Sequence, residues 1–388
     1  MKRIPYSKQN IDDDDIKAVV SVLKSKLLTQ GPKVPEFEKE FAKYVGSKFA
    51  VAVSNGTAAL HICALALGTK AGDKVITTPI SFSATSNCIR YCGGEVVFVD
   101  IDPQTFLIDF KKVEKLLKSS PKGTYKGLIP VDFSGLPVNL EKFRKLADKF
   151  GLWIIEDSCH APGGFIKNSK GLKEYCGQGN SADLAIFSFH PVKHIAAGEG
   201  GMITTNDEQL YNKLRNLRSH GIQQKPELKK HNHGPWYYEM QELGFNYRLT
   251  DFQAALGLSQ LKKQKSGMKR RRQIAKKYFE SFKNVDFIIN QSGIVEGHAY
   301  HLYIIEVDNR NELYKYLFDN NIYVQIHYIP IHLMPYYQSL GNNAGEMPFS
   351  EKYYKHCLSL PMYPTLSDDE QEVVIKIIHR FFEDKKAL

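Results

Sequence analysis

Between residue 48 and about residue 205 the chain alternates short β-rich runs with helical stretches, and this alternation constrains the fold more than any other feature. The runs are KFAVAVS, KVITTP, EVVFVDI, KGLIPVDFS, LWIIEDS, ADLAIFSFH and GGMITT. Most are separated by amphipathic segments such as Thr57 to Leu67 and Leu140 to Phe150. Several runs are apolar at consecutive positions, as in strands covered by helices on both faces. The expected class is α/β, with a seven-stranded, mostly parallel sheet in a large domain of residues 1–250. After about residue 250 the pattern changes to one long predicted helix, Asp251 to Phe282, then a short α/β section and the stretch YVQIHYIPIHLMPYYQSLGNNAGEMPFS. This reads as a smaller C-terminal α/β domain of residues 251–388.

Composition excludes several function classes. An apolar content of 43% is ordinary for a chain that buries a large core. The six cysteines, Cys63, Cys88, Cys92, Cys159, Cys176 and Cys357, form no CxxC pair, so reduced thiols are expected. Cys88 and Cys92, four apart on a predicted helix, read as buried small side chains rather than metal ligands. No metal is expected. The start, MKRIPYSKQNIDDDD, has no apolar segment behind its basic residues, and no run reaches the length of a membrane span, which points to a cytoplasmic protein that does not engage a membrane. A net charge of +10 invites a nucleic-acid partner, with KRRR at Lys269 to Arg272 its best support. That run lies in a predicted amphipathic helix with a solvated basic face, however, and a positive balance equally suits phosphate-bearing ligands, so no nucleic-acid partner is expected.

In sheets of this kind ligands bind at the carboxyl ends of the strands, which gives weight to polar residues where strands stop. Four stretches qualify: SNGTAAL, TPISFSATSN, EDSCHAPGG and SFHPVKH. SNGTAAL enters a helix, where the free N–H groups of Gly56, Thr57 and Ala58 suit a phosphate, although plain N-capping uses the same residues. No GKS or GKT and no GxGxxG accompanies it. Asp157 closes LWIIEDS, and a carboxylate there needs a cationic partner: either a structural Lys or Arg or a protonated ring nitrogen. A charge pair at about 4 Å and an effective dielectric near 20 is worth roughly 4 kcal/mol, or about three pKa units, enough to keep a pyridine nitrogen protonated. Lys193, at the end of the sixth run, then has a chemistry available: a Schiff base with pyridoxal 5'-phosphate (PLP), with Ser188 offering a hydroxyl to the phosphate.

These stretches, with LTQGPKVPEFE, GEGGMITT and GFNYRLTDFQAALG, resemble the DegT/StrS family of PLP-dependent sugar-nucleotide aminotransferases from about residue 5 to the C-terminus. The resemblance implies a fold-type I PLP-dependent aminotransferase acting as a homodimer with shared active sites. It makes Lys193 the Schiff-base lysine and Asp157 the partner of the ring nitrogen, with Phe82 against the ring face and His160 beside it. It puts Gly56, Thr57 and Ser188 at the phosphate and brings Asn246 from the neighbouring subunit. Ser158 and Cys159 stand where the family usually has alanines, and His194 where asparagine is common. A dehydratase branch carries histidine in place of the lysine, so Lys193 favours transamination. The implied donor is L-glutamate and the implied acceptor a UDP-linked 4-keto-6-deoxy-N-acetyl hexose, with GDP-linked 4-keto or 3-keto sugars as alternatives.

His327, Tyr328 and Arg248 are expected to bind this substrate, Tyr and His offering a flat apolar face with a polar edge. The histidines of KKHNHGPWYY and QIHYIPIHLMPYY could instead be zinc ligands, but no acidic or cysteine ligand lies at a metal-site spacing. A reading from another class, a regulator that binds PLP or DNA without turnover, rests on charge alone.

Overall fold

The structure, a computed structural model, describes residues 3–223, 230–231 and 233–386. The seven predicted runs enter one sheet. Its strands are β1 (Phe49–Val53), β2 (Lys74–Thr77), β3 (Glu95–Phe98), β4 (Tyr125–Ile129) and β5 (Trp153–Asp157), then, after a hairpin of β6 (Phe165–Lys167) and β7 (Lys173–Tyr175), β8 (Leu184–Ser188) and β9 (Gly201–Thr205). The spatial order is β1-β9-β8-β5-β4-β2-β3. All neighbours pair in parallel except β9, which is antiparallel to both β8 and β1.

Helices α1 (Asp13–Leu23) and α2 (Lys33–Val45) precede the sheet, α3 (Gly56–Ala66), α4 (Ala84–Tyr91), α5 (Phe110–Lys118) and α6 (Leu140–Phe150) link its first five strands, and α7 (Glu208–Arg218) follows β9. Consecutive residues of one strand pack on opposite sides. Val75, Ile155, Ile186 and Ile203 join a core with Leu60 and Ile62 of α3, whereas Ile76 and Ile154 meet Val113 of α5 and Phe143 of α6. Phe187 and Met202 meet Phe37 and Phe41 of α2. Each such side chain contributes about 1.5–3 kcal/mol on burial, which is why these strands read as continuous apolar runs.

The predicted helix from Asp251 to Phe282 is two helices. These are α8 (Asp251–Lys262) and α9 (Gln264–Phe282), broken at Lys263 with φ −88° and ψ −5°. No glycine or proline marks the joint, and polar tethers from distant residues hold it. Lys263 Nζ reaches Asp12 at 2.8 Å, Gln260 Nε2 donates to Asn10 O and Asp15 Oδ2 at 2.8 Å each, and Gln264 Nε2 donates to His194 O at 2.6 Å. The basic run KRRR also departs from expectation. Arg271 is 2% exposed, so its part of the face is not solvated, and Nη1 donates to the carbonyls of Tyr300, His301 and Met362 at 3.0, 3.3 and 3.0 Å.

A short pair, β10 (Ile222–Gln223) and β11 (Glu239–Met240), lies beyond α7. A three-stranded antiparallel sheet of β12 (Asn290–Gln291), β13 (Tyr303–Glu306) and β14 (Cys357–Leu360) follows α9, with α10 (Arg310–Asp319), α11 (Pro335–Gln338), α12 (Pro348–His356) and α13 (Asp368–Lys386) around it. Its core joins Tyr278, Phe282, Tyr303, Ile305, Leu358 and Ile378 to Ile4, from the other end of the chain. Among the described residues no helix is long and apolar enough to cross a membrane.

Candidate active site

β1, β5 and β8 end on the same edge of the sheet, with the start of β9 between β1 and β8. After β1, Asn55 caps α3 by accepting the Ala58 N–H at 2.8 Å, and the N–H groups of Gly56 and Thr57 lie ahead of the first intrahelical donor, the Ala59 N–H. Two close approaches seat this turn. A Cβ at Gly201 would lie 2.5 Å from Asn55 O, and one at Gly56 would lie 3.1 Å from Ser188 Cβ. A side chain at either glycine would push the helix start away from β8 and β9.

After β8 the chain folds back on buried Phe189, whose N–H donates to Gly200 O at 2.8 Å and whose carbonyl accepts from Ala197 N–H at 2.9 Å. Ser7 Oγ donates to Val192 O at 3.1 Å, and Gln264 holds the His194 carbonyl. Lys193 therefore sits on a loop tethered by the start of the chain and by the start of α9.

A cavity of about 510 Å³ opens at these strand ends. It gathers Gly56, Thr57, Phe82, Asp157, His160, Ser188, Lys193, His327 and Tyr328. Asn246 and Arg248 are not in its wall. Arg248 lines a separate cavity of about 400 Å³ with Arg215 and Arg218, and Asn246 pairs through its backbone with Ser219. The cavity also holds residues that sequence reasoning did not single out: Tyr6, Thr85, Glu199 and His301. Thr85 lies in a flagged stretch and Tyr6 in the conspicuous start of the chain, but nothing in the sequence marks His301. The histidines for which zinc is the lesser alternative diverge, His327 Nδ1 meeting Ser359 Oγ at 2.9 Å and His332 Nε2 meeting Glu351 at 3.1 Å. The ring centroids of His231 and His233 lie 5.9 Å apart, and Asn232 between them is outside the described residues.

Asp157 is 4% exposed. Its Oδ2 accepts from Thr85 Oγ1 at 2.7 Å and its Oδ1 from Cys159 N–H at 3.2 Å. Among the described residues no lysine or arginine forms a salt bridge with it. The structural alternative for this carboxylate is thus unfilled among those residues, and the group lines the cavity. Burial lowers the Lys193 amine, with the nearby Cys159 and Asp157 opposing that shift. Burial likewise holds His160 well below the usual histidine range, with Lys193 adding to the effect, and pushes His327 down to about 3. His160 Nδ1 accepts from Ser134 N–H at 3.3 Å, so the neutral ring carries its proton on Nε2, which donates to Tyr328 Oη at 3.2 Å. Behind β5, buried Asp132 accepts from Ser158 Oγ at 2.7 Å and is raised to about 6 by desolvation, which braces the strand end that carries Asp157.

An anion cradle at a helix start, a carboxylate for a ring nitrogen and a half-buried lysine in one cavity fit PLP. With this sheet, they give the class as a PLP-dependent aminotransferase. The model of the DegT/DnrJ/EryC1/StrS aminotransferase family matches residues 9–379, and the chain belongs to that family.

Among its relatives, the spore coat polysaccharide biosynthesis protein SpsC of Bacillus subtilis is 40% identical over 97% of this chain and 96% of its own. The UDP-4-amino-4,6-dideoxy-N-acetyl-beta-L-altrosamine transaminase of Campylobacter jejuni (strain 81-176) is 37% identical over 99% and 98%. Among solved structures, Helicobacter pylori PseC, an aminotransferase involved in the biosynthesis of pseudoaminic acid, has a TM-score of 0.89 at 32% identity, covering 99% of this chain and 100% of its own. The PLP form of the putative sugar aminotransferase Spr1654 from Streptococcus pneumoniae has a TM-score of 0.87 at 27% identity, covering 97% of each chain.

Proposed function

We propose that this sugar aminotransferase moves an amino group from L-glutamate to carbon 4 of a UDP-linked 4-keto-6-deoxy-N-acetyl hexose, on the route to pseudaminic acid. The observation that carries the reading is the full-length likeness to the Campylobacter transaminase and to PseC. The cavity wall is compatible with it, since Tyr6, His327 and Tyr328 offer flat faces with polar edges to a sugar. The 40% identity to SpsC, a spore coat polysaccharide biosynthesis protein, favours a second reading, a different nucleotide keto sugar; its candidate forms are a GDP-linked 4-keto sugar and a 3-keto sugar. Incubating the purified protein with glutamate and a panel of nucleotide keto sugars tests both. The expected product is the 4-amino UDP sugar, and selective amination of a GDP sugar or of carbon 3 would give the second reading the place of the first.

In this reading Gly56, Thr57 and Ser188 would hold the phosphate of PLP, Asp157 would face its ring nitrogen, and Phe82 and His160 would flank the ring. PLP supplies the electron sink that lets an amino group be taken from one carbon and given to another. The chain's own contribution is proton handling and placement. Lys193, as a neutral amine, takes the proton from the donor's α-carbon and delivers one at the sugar carbon. Asp157 presents its carboxylate at the cavity wall, fixed there by Thr85 and the Cys159 N–H. His160 orients the Tyr328 phenol, whose own hydrogen is left free to donate to an oxygen of the ligand.

Asn246 and Arg248 lie outside the cavity of their own chain, and we assign them to the site of the partner subunit in a homodimer. Lys193→Ala and Asn246→Ala, each inactive alone, should recover about a quarter of wild-type activity when their subunits exchange at random. Half of the dimers are then mixed and one of their two sites is intact, an estimate for independent sites. A mixture that demonstrably exchanges yet stays inactive would remove the shared site while leaving the aminotransferase in place.

A further inference from the structure

His301, on the segment leading into β13, is 3% exposed, and its Nε2 lies 3.5 Å from Lys193 Nζ. Its ring centroid is 4.3 Å from that of His160 and 5.7 Å from that of His194. Both neighbours have hydrogen-bonding commitments elsewhere: His160 to Ser134 N–H and Tyr328, and His194 through an Nε2–H donated to Ala299 O at 2.8 Å. His301 Nδ1 is buried with no partner among the described residues. The backbone around it is held firmly. Ala299 N–H donates to Gly135 O at 2.7 Å, Leu302 N–H to Ser134 O at 3.1 Å, and Arg271 binds the His301 carbonyl.

A neutral imidazole has one N–H to place. On Nδ1 it would be a buried donor without an acceptor. On Nε2 it points at Lys193, and the orphan is a bare nitrogen; a native interior tolerates an unmet acceptor more readily than an unmet donor. An ammonium offers only hydrogens, so the Nε2–H tautomer can bond to Lys193 only when the lysine is uncharged. We propose that His301 donates its Nε2–H to the neutral amine of Lys193 and holds that lysine in the form able to act as nucleophile and base. The inference rests on the reading of Lys193 as the reacting lysine. Burial, with Lys193, His160, His194 and Arg271 nearby, keeps His301 itself uncharged. Asp157 and Cys159 face the lysine from the end of β5 and favour the ammonium, while His327 faces it from the stretch after α10. His301 thus opposes the pull of Asp157.

The test is the rate at which the full chain, freed of cofactor, captures added PLP as a function of pH. The proteins compared are wild type, His301→Phe, His301→Gln and, as control, Lys193→Ala. Losing one hydrogen bond to the neutral amine should raise the pH midpoint of capture by about half a unit to one unit and slow capture at neutral pH roughly two- to tenfold in His301→Phe. His301→Gln, whose amide N–H can donate, should restore part of the difference. A midpoint that stays or falls in a folded Phe variant overturns the proposal. So does a wild-type ¹⁵N-histidine spectrum, assigned by the signal lost in His301→Gln, showing His301 protonated on Nδ1. Capture of the lysine-bound kind by Lys193→Ala would instead remove the reading of Lys193 itself.

Discussion

Lys193→Ala is expected to purify folded, without the visible absorbance of a lysine-bound cofactor, and to turn over at least about 10³-fold more slowly than wild type. The fold should survive because the loop around residue 193 is held by Phe189, Ser7 and Gln264, none of which uses the lysine side chain. Deleting a buried amine, whose charged form burial disfavours, also removes little that stabilises the protein. The loss in rate combines a missing nucleophile with a missing general base, the latter alone contributing roughly 10²–10⁴-fold. Borohydride reduction followed by peptide mapping provides the check. A reducible adduct of undiminished yield in the alanine variant would take Lys193 out of the reaction.

Asp157→Asn should fold and bind PLP while its half-reaction with glutamate slows by about 10²-fold or more. The wild-type carboxylate accepts twice, from Thr85 and from Cys159, and an amide keeps only one acceptor. The surroundings can adapt, since Thr85 Oγ1 also lies 2.7 Å from Ser81 Oγ. In the variant the amide oxygen can still accept from the Cys159 N–H, while the amide nitrogen donates to Thr85, whose hydroxyl turns to Ser81. The hydrogen bonding is therefore preserved and the charge alone is lost. A charge pair worth roughly 4 kcal/mol is the scale of that loss, about three orders of magnitude in an equilibrium. Stopped-flow spectroscopy of the half-reaction separates this from weaker binding. Near-normal rates would make Asp157 a structural residue only.

Much of the architecture was legible along the chain because it is dictated locally. A strand covered on both faces must be apolar at successive positions, so all seven runs announced themselves and entered one sheet. A strand must also stop where polar residues begin, which is why the residues at the four strand ends, from Gly56 to Lys193, gather in one cavity. The helix from Asp251 was less legible. Its break at Lys263 depends on Asp12, Asp15, Asn10 and His194, whose contribution at that point no window of sequence contains. Arg271 misled for the same reason, since a basic run reads as solvated until three carbonyls from two distant segments are seen to enclose one of its side chains.

The sequence by itself thus determined the α/β class and the chemistry available at the strand ends, because secondary-structure period and strand termination are properties of neighbouring residues. Only the tertiary structure decided which other groups meet that chemistry. Tyr6 comes to the cavity from the start of the chain, and Tyr328 from the far side of β13. His301 reaches Lys193 across 108 positions because Gly135 and Ser134 clasp the segment before β13. The physical reason is that an imidazole's protonation and hydrogen-bonding role are set by what encloses it, and enclosure exists only once the chain has closed on itself.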